Sequence, residues 1–252
     1  MTTPSGLLRD ALTADPTRPA ITFYDDATGE RVELSVTTLE NWVAKTANLL
    51  IDGLGVHPGQ TIGVRLPCHW LAPVWLLAAW SAGLVVVLGD AAVAAEVLVV
   101  GPDDVAEAAA SRAAEVVAVS LRPMGQPYAT PLPGRVLDYA AEVLGHGDRF
   151  VPPLAPDDGD IVLTADGTVM SAGDLVSLAR TRADALGLGA HGRLLTTLAP
   201  DALEPVLDAV LVPLVSGGVV LCRRPDASAL ERRAEQERVS VRLGVGEPPE
   251  SR

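Results

Sequence analysis

The sequence has few cationic side chains and almost no lysine. Lys45 is the one Lys, beside eighteen Arg, whereas 32 Asp and Glu residues bring the formal net charge to −13. Nucleic acids and anionic membrane surfaces attract proteins through clustered positive charge. The composition therefore predicts neither nucleic acid nor membrane as a partner.

Cysteine is also scarce, and no cluster of metal ligands stands out. Cys68 and Cys222 are lone thiols in apolar surroundings, and His69 and His146 have no ligand neighbours at the spacing that zinc requires. Free thiols are typical of a reducing compartment. The sequence predicts no metal site and a cytoplasmic location, and a chain of 252 residues can bury a core without disulfides or metal.

One uncharged stretch, residues 70–88, is nearly long enough to span a bilayer. Pro73, Ser81 and Gly83 interrupt it, and residues 84–88 form an apolar run typical of a buried strand. Two interpretations remain, a membrane span and a helix followed by a strand in a water-soluble core. The interruptions favour the second.

Short β-branched runs alternate with amphipathic helical segments along the chain, which predicts an α/β fold with mainly parallel sheets covered by helices on both faces. Residues 54–59 and 81–83 are echoed by residues 188–192 and 216–218, so two pseudo-repeated subdomains are expected. The Pro-rich segment 151–158 is the best candidate linker. We therefore expect a first subdomain over residues 1–156 and a second over residues 157–252.

The segment from Ile161 to Leu178 is where a phosphate site would be expected. An apolar strand leads into Asp166-Gly167, a strong two-residue turn signal, and Ser171 can then cap a helix. A strand, loop and helix in that order can cradle phosphate. However, the candidate positions Thr164, Asp166, Gly167 and Thr168 offer one Gly, no Lys and an acid that repels phosphate. A plain connection is favoured over a binding loop.

No other motif predicts catalysis. Residues 187–192 match G-x-G-x-x-G, but they follow a helix and precede a strand, so we interpret these glycines as a helix end and turn. His57 and His191 occupy matching turns of the two repeats, which suggests a structural role. We assign no catalytic residue from the sequence.

The order of these segments resembles the amino-terminal part of the AMP-binding, acyl-adenylate-forming enzyme superfamily, over residues 20–246. The passages that carry the resemblance are Glu33–Leu50, Gly53–Val64, Trp80–Val86 and Pro213–Val220. In that family the strand matching Ile161–Thr164 leads into a loop rich in Thr, Ser and Gly that binds phosphate. Here the matching segment is several residues shorter, Ala172 stands where a His is expected, and the later motifs and the carboxy-terminal domain have no counterpart.

The resemblance implies a catalytically degenerate relative that serves as a binding or interaction module and needs no cofactor. The alternative is an acyl- or nucleotide-binding component that a partner chain completes, with ATP or AMP and magnesium as ligands. Thr164, Asp166, Gly167 and Thr168 are the vestigial phosphate-loop positions under that alternative. Because the elements matching residues 206–215 and 239–245 continue into further structure in the larger relatives, we also expect a homodimer or a protein partner through residues 200–246.

Overall fold

A computed structural model describes residues 3–244 of the chain. The α-helices are α1 (Pro4–Ala14), α2 (Val36–Asn48), α3 (Leu71–Ser81), α4 (Val105–Ala110), α5 (Tyr139–Glu142), α6 (Ala172–Ala185), α7 (Leu203–Val206), α8 (Val212–Val215) and α9 (Ala227–Gln236). Short 3-10 helices cover Gly89–Ala94, Pro102–Asp104, Pro123–Gly125 and Val143–Gly145, and π-helical turns cover Leu49–Gly53 and Leu207–Leu211.

The strands are β1 (Pro19–Asp25), β2 (Glu30–Ser35), β3 (Thr61–Arg65), β4 (Val85–Val87), β5 (Val97–Val100), β6 (Glu115–Ala118), β7 (Val136–Asp138), β8 (Ile161–Ala165), β9 (Thr168–Ser171), β10 (Arg193–Thr196), β11 (Gly218–Arg223) and β12 (Val241–Leu243). They form a five-stranded sheet in the order β12-β10-β11-β1-β2 and a seven-stranded sheet in the order β7-β6-β5-β3-β4-β8-β9. The β1–β2 and β8–β9 pairs are antiparallel, and the other neighbours are parallel.

Helices lie on both faces of each sheet, as the sequence predicts. Between the sheets, α3 packs on β3 and β4, while α2 and α8 pack on β1 and α2 packs on α3. On the outer faces, alternate residues of β5 reach α4, and alternate residues of β11 reach α9. Strands covered on both sides read as continuous Val and Leu runs, which explains why β5 (VLVV) is apolar throughout.

The predicted boundary at residue 156 does not coincide with the division between the sheets. β1 and β2, from the start of the chain, pair with β11 in the five-stranded sheet. β8 and β9, from the second half, extend the seven-stranded sheet beyond β4. Each sheet therefore takes strands from both sides of residue 156.

In each half a hydrogen bond between glycines joins a turn to the start of a later strand, with donor and acceptor exchanged between the two halves. The amide of Gly59 donates to the carbonyl of Gly83, and the amide of Gly217 donates to the carbonyl of Gly192, each at 2.8 Å. A side chain at Gly217 would sit 2.5 Å from the backbone of His191, so this close approach requires glycine. These contacts join the turn before β3 to the start of β4, and the turn before β10 to the start of β11.

The apolar stretch 70–88 folds as α3 followed by β4, with every α3 residue from Leu71 to Trp80 buried. Within residues 3–244, no helix combines the length and the apolar character that crossing a bilayer requires. A helix that is apolar all round belongs to the interior of a protein or to a membrane, and here the neighbouring helices and strands cover it.

One local prediction is wrong in detail. Residues 168–171 form β9 before the helix begins, so the predicted sequence of strand, turn and helix contains a second strand. β9 is only four residues long, and pairing with β8 fixes its conformation.

Candidate functional site

The segment that should carry a phosphate loop is a β-hairpin. Thr164 pairs with Val169 and Ala165 with Thr168, and the two residues between them form the turn. Asp166 has φ 47° and Gly167 has φ 78°, the left-handed pair of a type I′ turn. The predicted Asp166-Gly167 turn is confirmed, and the backbone from Thr164 to Thr168 follows the pairing of a hairpin.

The helix after the hairpin begins where the sequence places it. The Ser171 hydroxyl accepts a hydrogen bond from the amide of Asp174 at 3.2 Å and caps α6. Ser171 also lies 2.8 Å from a carboxylate oxygen of Asp174. The first turn of this helix therefore already holds an acidic side chain. The negative charge of this side chain interacts favourably with the helix dipole and repels a phosphate at the same place.

An open cleft of about 700 Å³ lies beside this hairpin, between the two sheets. Its walls are the segments that follow the carboxyl ends of β3, β4, β5, β10 and β11, which is where open α/β sheets bind ligands. The charged lining residues are Arg65, Asp90, Asp103, Asp104, Asp201, Arg223 and Arg224. Sequence reasoning missed this cleft, although the Arg223-Arg224 pair directly after an apolar strand was a usable signal.

The basic side of the cleft is already paired with acids of the chain. The guanidinium of Arg224 donates two hydrogen bonds to the carboxylate of the buried Asp25. The guanidinium of Arg223 lies 3.7 Å from the same carboxylate. Burial alone would raise the pKa of Asp25, but the hydrogen bonds from Arg224 and from the amide of Ala27 outweigh it and hold the pKa low. Arg65 lies 3.3 Å from both Asp104 and Glu107.

The hairpin side of the cleft is acidic. A side chain built on Gly89 would lie 3.5 Å from the Asp166 carboxylate, so the hairpin tip reaches this wall. The amide of Gly89 donates to the backbone carbonyl of Asp201 at 3.0 Å and is not available to a ligand. Asp90 and Asp201 also line this wall, so it presents carboxylates to a ligand and does not fit the phosphates of the triphosphate that the fold implies.

The other candidate residues do not assemble with the hairpin. His69 is buried against Phe23 and Trp70, and burial lowers its pKa to about 3. Burial likewise raises the pKa of Cys68 to about 12 and that of Cys222 to about 11. Across residues 3–244, His, Cys, Asp and Glu form no group of three that could hold a metal.

The glycines of residues 187–192 and the histidines His57 and His191 lie in turns, as the sequence predicts. α6 ends at Ala185 and Gly187 follows in the left-handed conformation, so residues 187–192 are a helix end and turn rather than a dinucleotide loop. His57 and His191 are exposed in the turns before β3 and β10. Neither histidine lines the cleft.

The region 200–246, through which we expect a partner to bind, contains both buried and edge segments. Residues 206–214 are buried in the core. Among residues 3–244, β12 is the last strand at its end of the five-stranded sheet. Residues 245–246 lie outside the described residues.

The two sheets and the helices that cover them define an α/β protein. Residues 8–117 match the family described as AMP-binding enzyme. The chain is also 40% identical over 253 residues to a protein of Mycobacterium tuberculosis described as a TIGR03089 family protein, a match that covers 95% of this chain and 99% of that protein. The chain belongs to the TIGR03089 family.

Solved structures confirm the scaffold. An acyl-CoA synthetase of Brucella canis superposes with a TM-score of 0.78 at 18% identity, over 95% of this chain and 46% of that enzyme. Acetoacetyl-CoA synthetase of Streptomyces lividans gives 0.74 at 20% identity, over 95% of this chain and 42% of the enzyme. The chain thus spans less than half the length of these two synthetases, and the likeness shows the fold.

Proposed function

We propose that this chain is a binding or interaction module on the AMP-binding scaffold that does not itself adenylate carboxylic acids. The observation that supports the proposal is the Asp166-Gly167 hairpin, which joins β8 directly to β9. Carboxylate adenylation depends on positioned phosphates and on cations that stabilise developing charge. A two-residue turn with an acidic side chain supplies neither.

The first test is ATP–pyrophosphate exchange by the purified full chain with a panel of short, medium, long and aromatic carboxylic acids. We expect exchange at the level of a reaction without protein. Exchange above that level with any acid would contradict the proposal.

Calorimetry tests the same site for binding alone. With ATP or AMP in the presence of magnesium, we expect no association tighter than about millimolar, roughly −4 kcal/mol. A micromolar dissociation constant lost in Thr164→Val or Thr168→Val would restore a nucleotide site at the hairpin. Thr130→Val, an exposed change in a distant loop, is the matched control.

The second candidate is an acyl- or nucleotide-binding component that a partner chain completes. The open cleft at the carboxyl ends of both sheets favours it, because this edge still offers about 700 Å³ to a ligand. Under this alternative, ATP or AMP with magnesium would bind only in the complex. The test repeats the exchange assay on material isolated with its native partner, and activity confined to the complex would select this candidate.

The proposal includes a protein partner, either a second copy or another chain, and a cytoplasmic location. The β12 edge supports it because unpaired strand edges recruit further strands. Light scattering of the purified chain should give a mass above the monomer, and native isolation should give a stoichiometric complex if the partner differs. A strict monomer with no associated chain would contradict this part of the proposal.

A further inference from the structure

Arg223 is the one arginine of the cleft whose side chain forms no hydrogen bond among residues 3–244. Arg65 donates to Asp104, and Arg224 donates to both carboxylate oxygens of Asp25. Arg223 lies 3.7 Å from the same carboxylate, a distance at which opposite charges attract but no hydrogen bond forms. The N–H groups of Arg223 therefore have no acceptor within the described part of the chain.

The guanidinium of Arg223 can be reached by a molecule in the cleft. Its side chain is 16% exposed and lines the cleft. Arg193 is the contrasting case, because its Nε is buried from solvent without a partner, whereas no nitrogen of Arg223 is sealed in this way. A half-buried donor that still contacts water can exchange that water for an acceptor on a ligand.

The sheet fixes the direction of this side chain. Arg223 is the last residue of β11 and pairs with Asp25 of β1. The preceding residue, Cys222, packs on the outer face of the sheet with Leu230 of α9. Because successive side chains of a strand point to opposite faces, Arg223 is directed to the side between the two sheets, where the cleft opens.

The charges around the cleft favour a neutral ligand. Three arginines and four aspartates line it, and the buried Asp25 adds a further negative charge beside Arg223. A phosphate or a carboxylate would therefore meet more negative than positive charge, while a cation at this wall would meet Arg223 and Arg224. A neutral molecule avoids both penalties and can still accept hydrogen bonds.

We propose that the cleft binds a neutral, planar molecule that presents two adjacent hydrogen-bond acceptors to the guanidinium of Arg223. The guanidinium is a rigid fork of donors that matches two acceptors side by side. The purine edge formed by O6 and N7 is such an acceptor pair. The inference rests on the second candidate function, a ligand in the open cleft, and gives the class of that ligand as a nucleobase-like molecule without phosphate.

Inosine and 7-deazainosine form a matched pair of probes. Both are neutral and carry O6, but only inosine has the N7 acceptor beside it. Calorimetry titrates each into the full chain, and we expect inosine to bind about tenfold more tightly because one hydrogen bond to a charged donor is lost in the other probe. Inosine monophosphate adds negative charge to the same base, so it should bind more weakly than inosine.

A substitution locates the effect at Arg223. Arg223→Lys keeps the positive charge beside Asp25 but removes the fork, so the preference for inosine over 7-deazainosine should disappear. Arg112→Lys is the matched control, because Arg112 is exposed and lies outside the cleft, and it should keep the preference. Thermal unfolding checks that both variants are folded, and the comparison of the two probes in the wild-type chain needs no variant.

Three results would overturn the proposal: no binding of inosine, equal affinities for the two probes in the wild-type chain, or a preference that survives in Arg223→Lys. Tighter binding of inosine monophosphate would also overturn it and would indicate an anion site instead. None of these results depends on ATP–pyrophosphate exchange or on a partner chain, so failure here is distinct from failure of either candidate function.

Discussion

The two sheets are stabilised in different ways. The seven-stranded sheet is apolar at its centre, where β5 is buried in all four residues. The five-stranded sheet and the helices around it contain all four carboxylates that are buried among residues 3–244, namely Asp25, Glu30, Asp208 and Glu237. Arg182 forms a two-point pair with Asp208 at 3.0 Å, and Arg193 pairs with Glu237 at 2.6 Å.

This difference indicates that the stability of the two sheets should depend differently on pH and on salt. Apolar burial is insensitive to pH and to moderate salt, whereas a buried ion pair depends on the charge of both partners. When a buried carboxylate is protonated, the arginine paired with it keeps its positive charge without a neighbouring negative charge to balance it. The five-stranded sheet should therefore be the half of the molecule that acid and charge substitutions affect.

The largest expected effect is in the apolar sheet. Leu98→Ala removes a side chain that is 1% exposed and packed under α4, and it should lower the free energy of unfolding by about 4 kcal/mol. Urea unfolding at several pH values measures it, and the loss should be the same at each. Leu154→Ala, at an exposed position, is the control and should have almost no effect.

The next effect is at the ion pairs of the five-stranded sheet. Asp25→Asn leaves Arg223 and Arg224 without their anion and should cost about 3 kcal/mol at neutral pH. Unlike the loss in Leu98→Ala, this one should shrink as the pH falls, because the wild-type carboxylate then becomes protonated. Asp184→Asn, on the exposed face of α6, is the matched control. A loss independent of pH would contradict the ionic role.

A smaller effect is expected when the unmodified protein is brought to acidic pH. The ion pair with Arg233 lowers the pKa of Asp26, and hydrogen bonds from Tyr24 and Arg193 lower that of Glu237 against the opposing effect of burial. Since a lowered pKa in the folded state stabilises the protein fully above the unfolded value of about 4, this contribution is lost as the pH falls from about 4 through the lower pKa of the folded state. Hydrogen exchange should show β1, β10 and β11 losing protection at a higher pH than β3, β5 and β6.

The smallest effect is expected for an exposed pair. Arg242 of β12 and Glu231 form a surface ion pair, in which the two side chains are 37% and 70% exposed. Arg242→Ala should change the free energy of unfolding by less than about 0.5 kcal/mol. Thermal unfolding at low and high salt tests this, and a cost comparable to that of Asp25→Asn would show that burial is not what separates the two classes of pair.

Much of the fold could be predicted because local patterns agree with it. The Val-rich runs gave the parallel strands, and Ser171 gave the start of α6. β9 was missed because the capping signal at Ser171 outweighed a strand of four residues, even though the Asp166-Gly167 turn favours a hairpin. The split at residue 156 came from a local Pro-rich signal, while strand order depends on pairing between distant segments.

The candidate sites were harder to predict for the same reason. Asp25 comes from β1 and Arg224 follows β11, and no local pattern reports that these strands are neighbours. The hairpin was predictable because its turn, its pairing and its cap all lie within a few residues of one another.

The interleaving of the sheets also has a consequence for synthesis. A chain emerges from the ribosome at about 5–20 residues per second, so β1 and β2 are made long before β11, the strand that pairs with them. The seven-stranded sheet likewise lacks β8 and β9 until most of the chain exists. The nascent β1–β2 hairpin therefore has an unpaired β1 edge until β11 is made, and pairing of β1 with β11 must wait for nearly the whole chain.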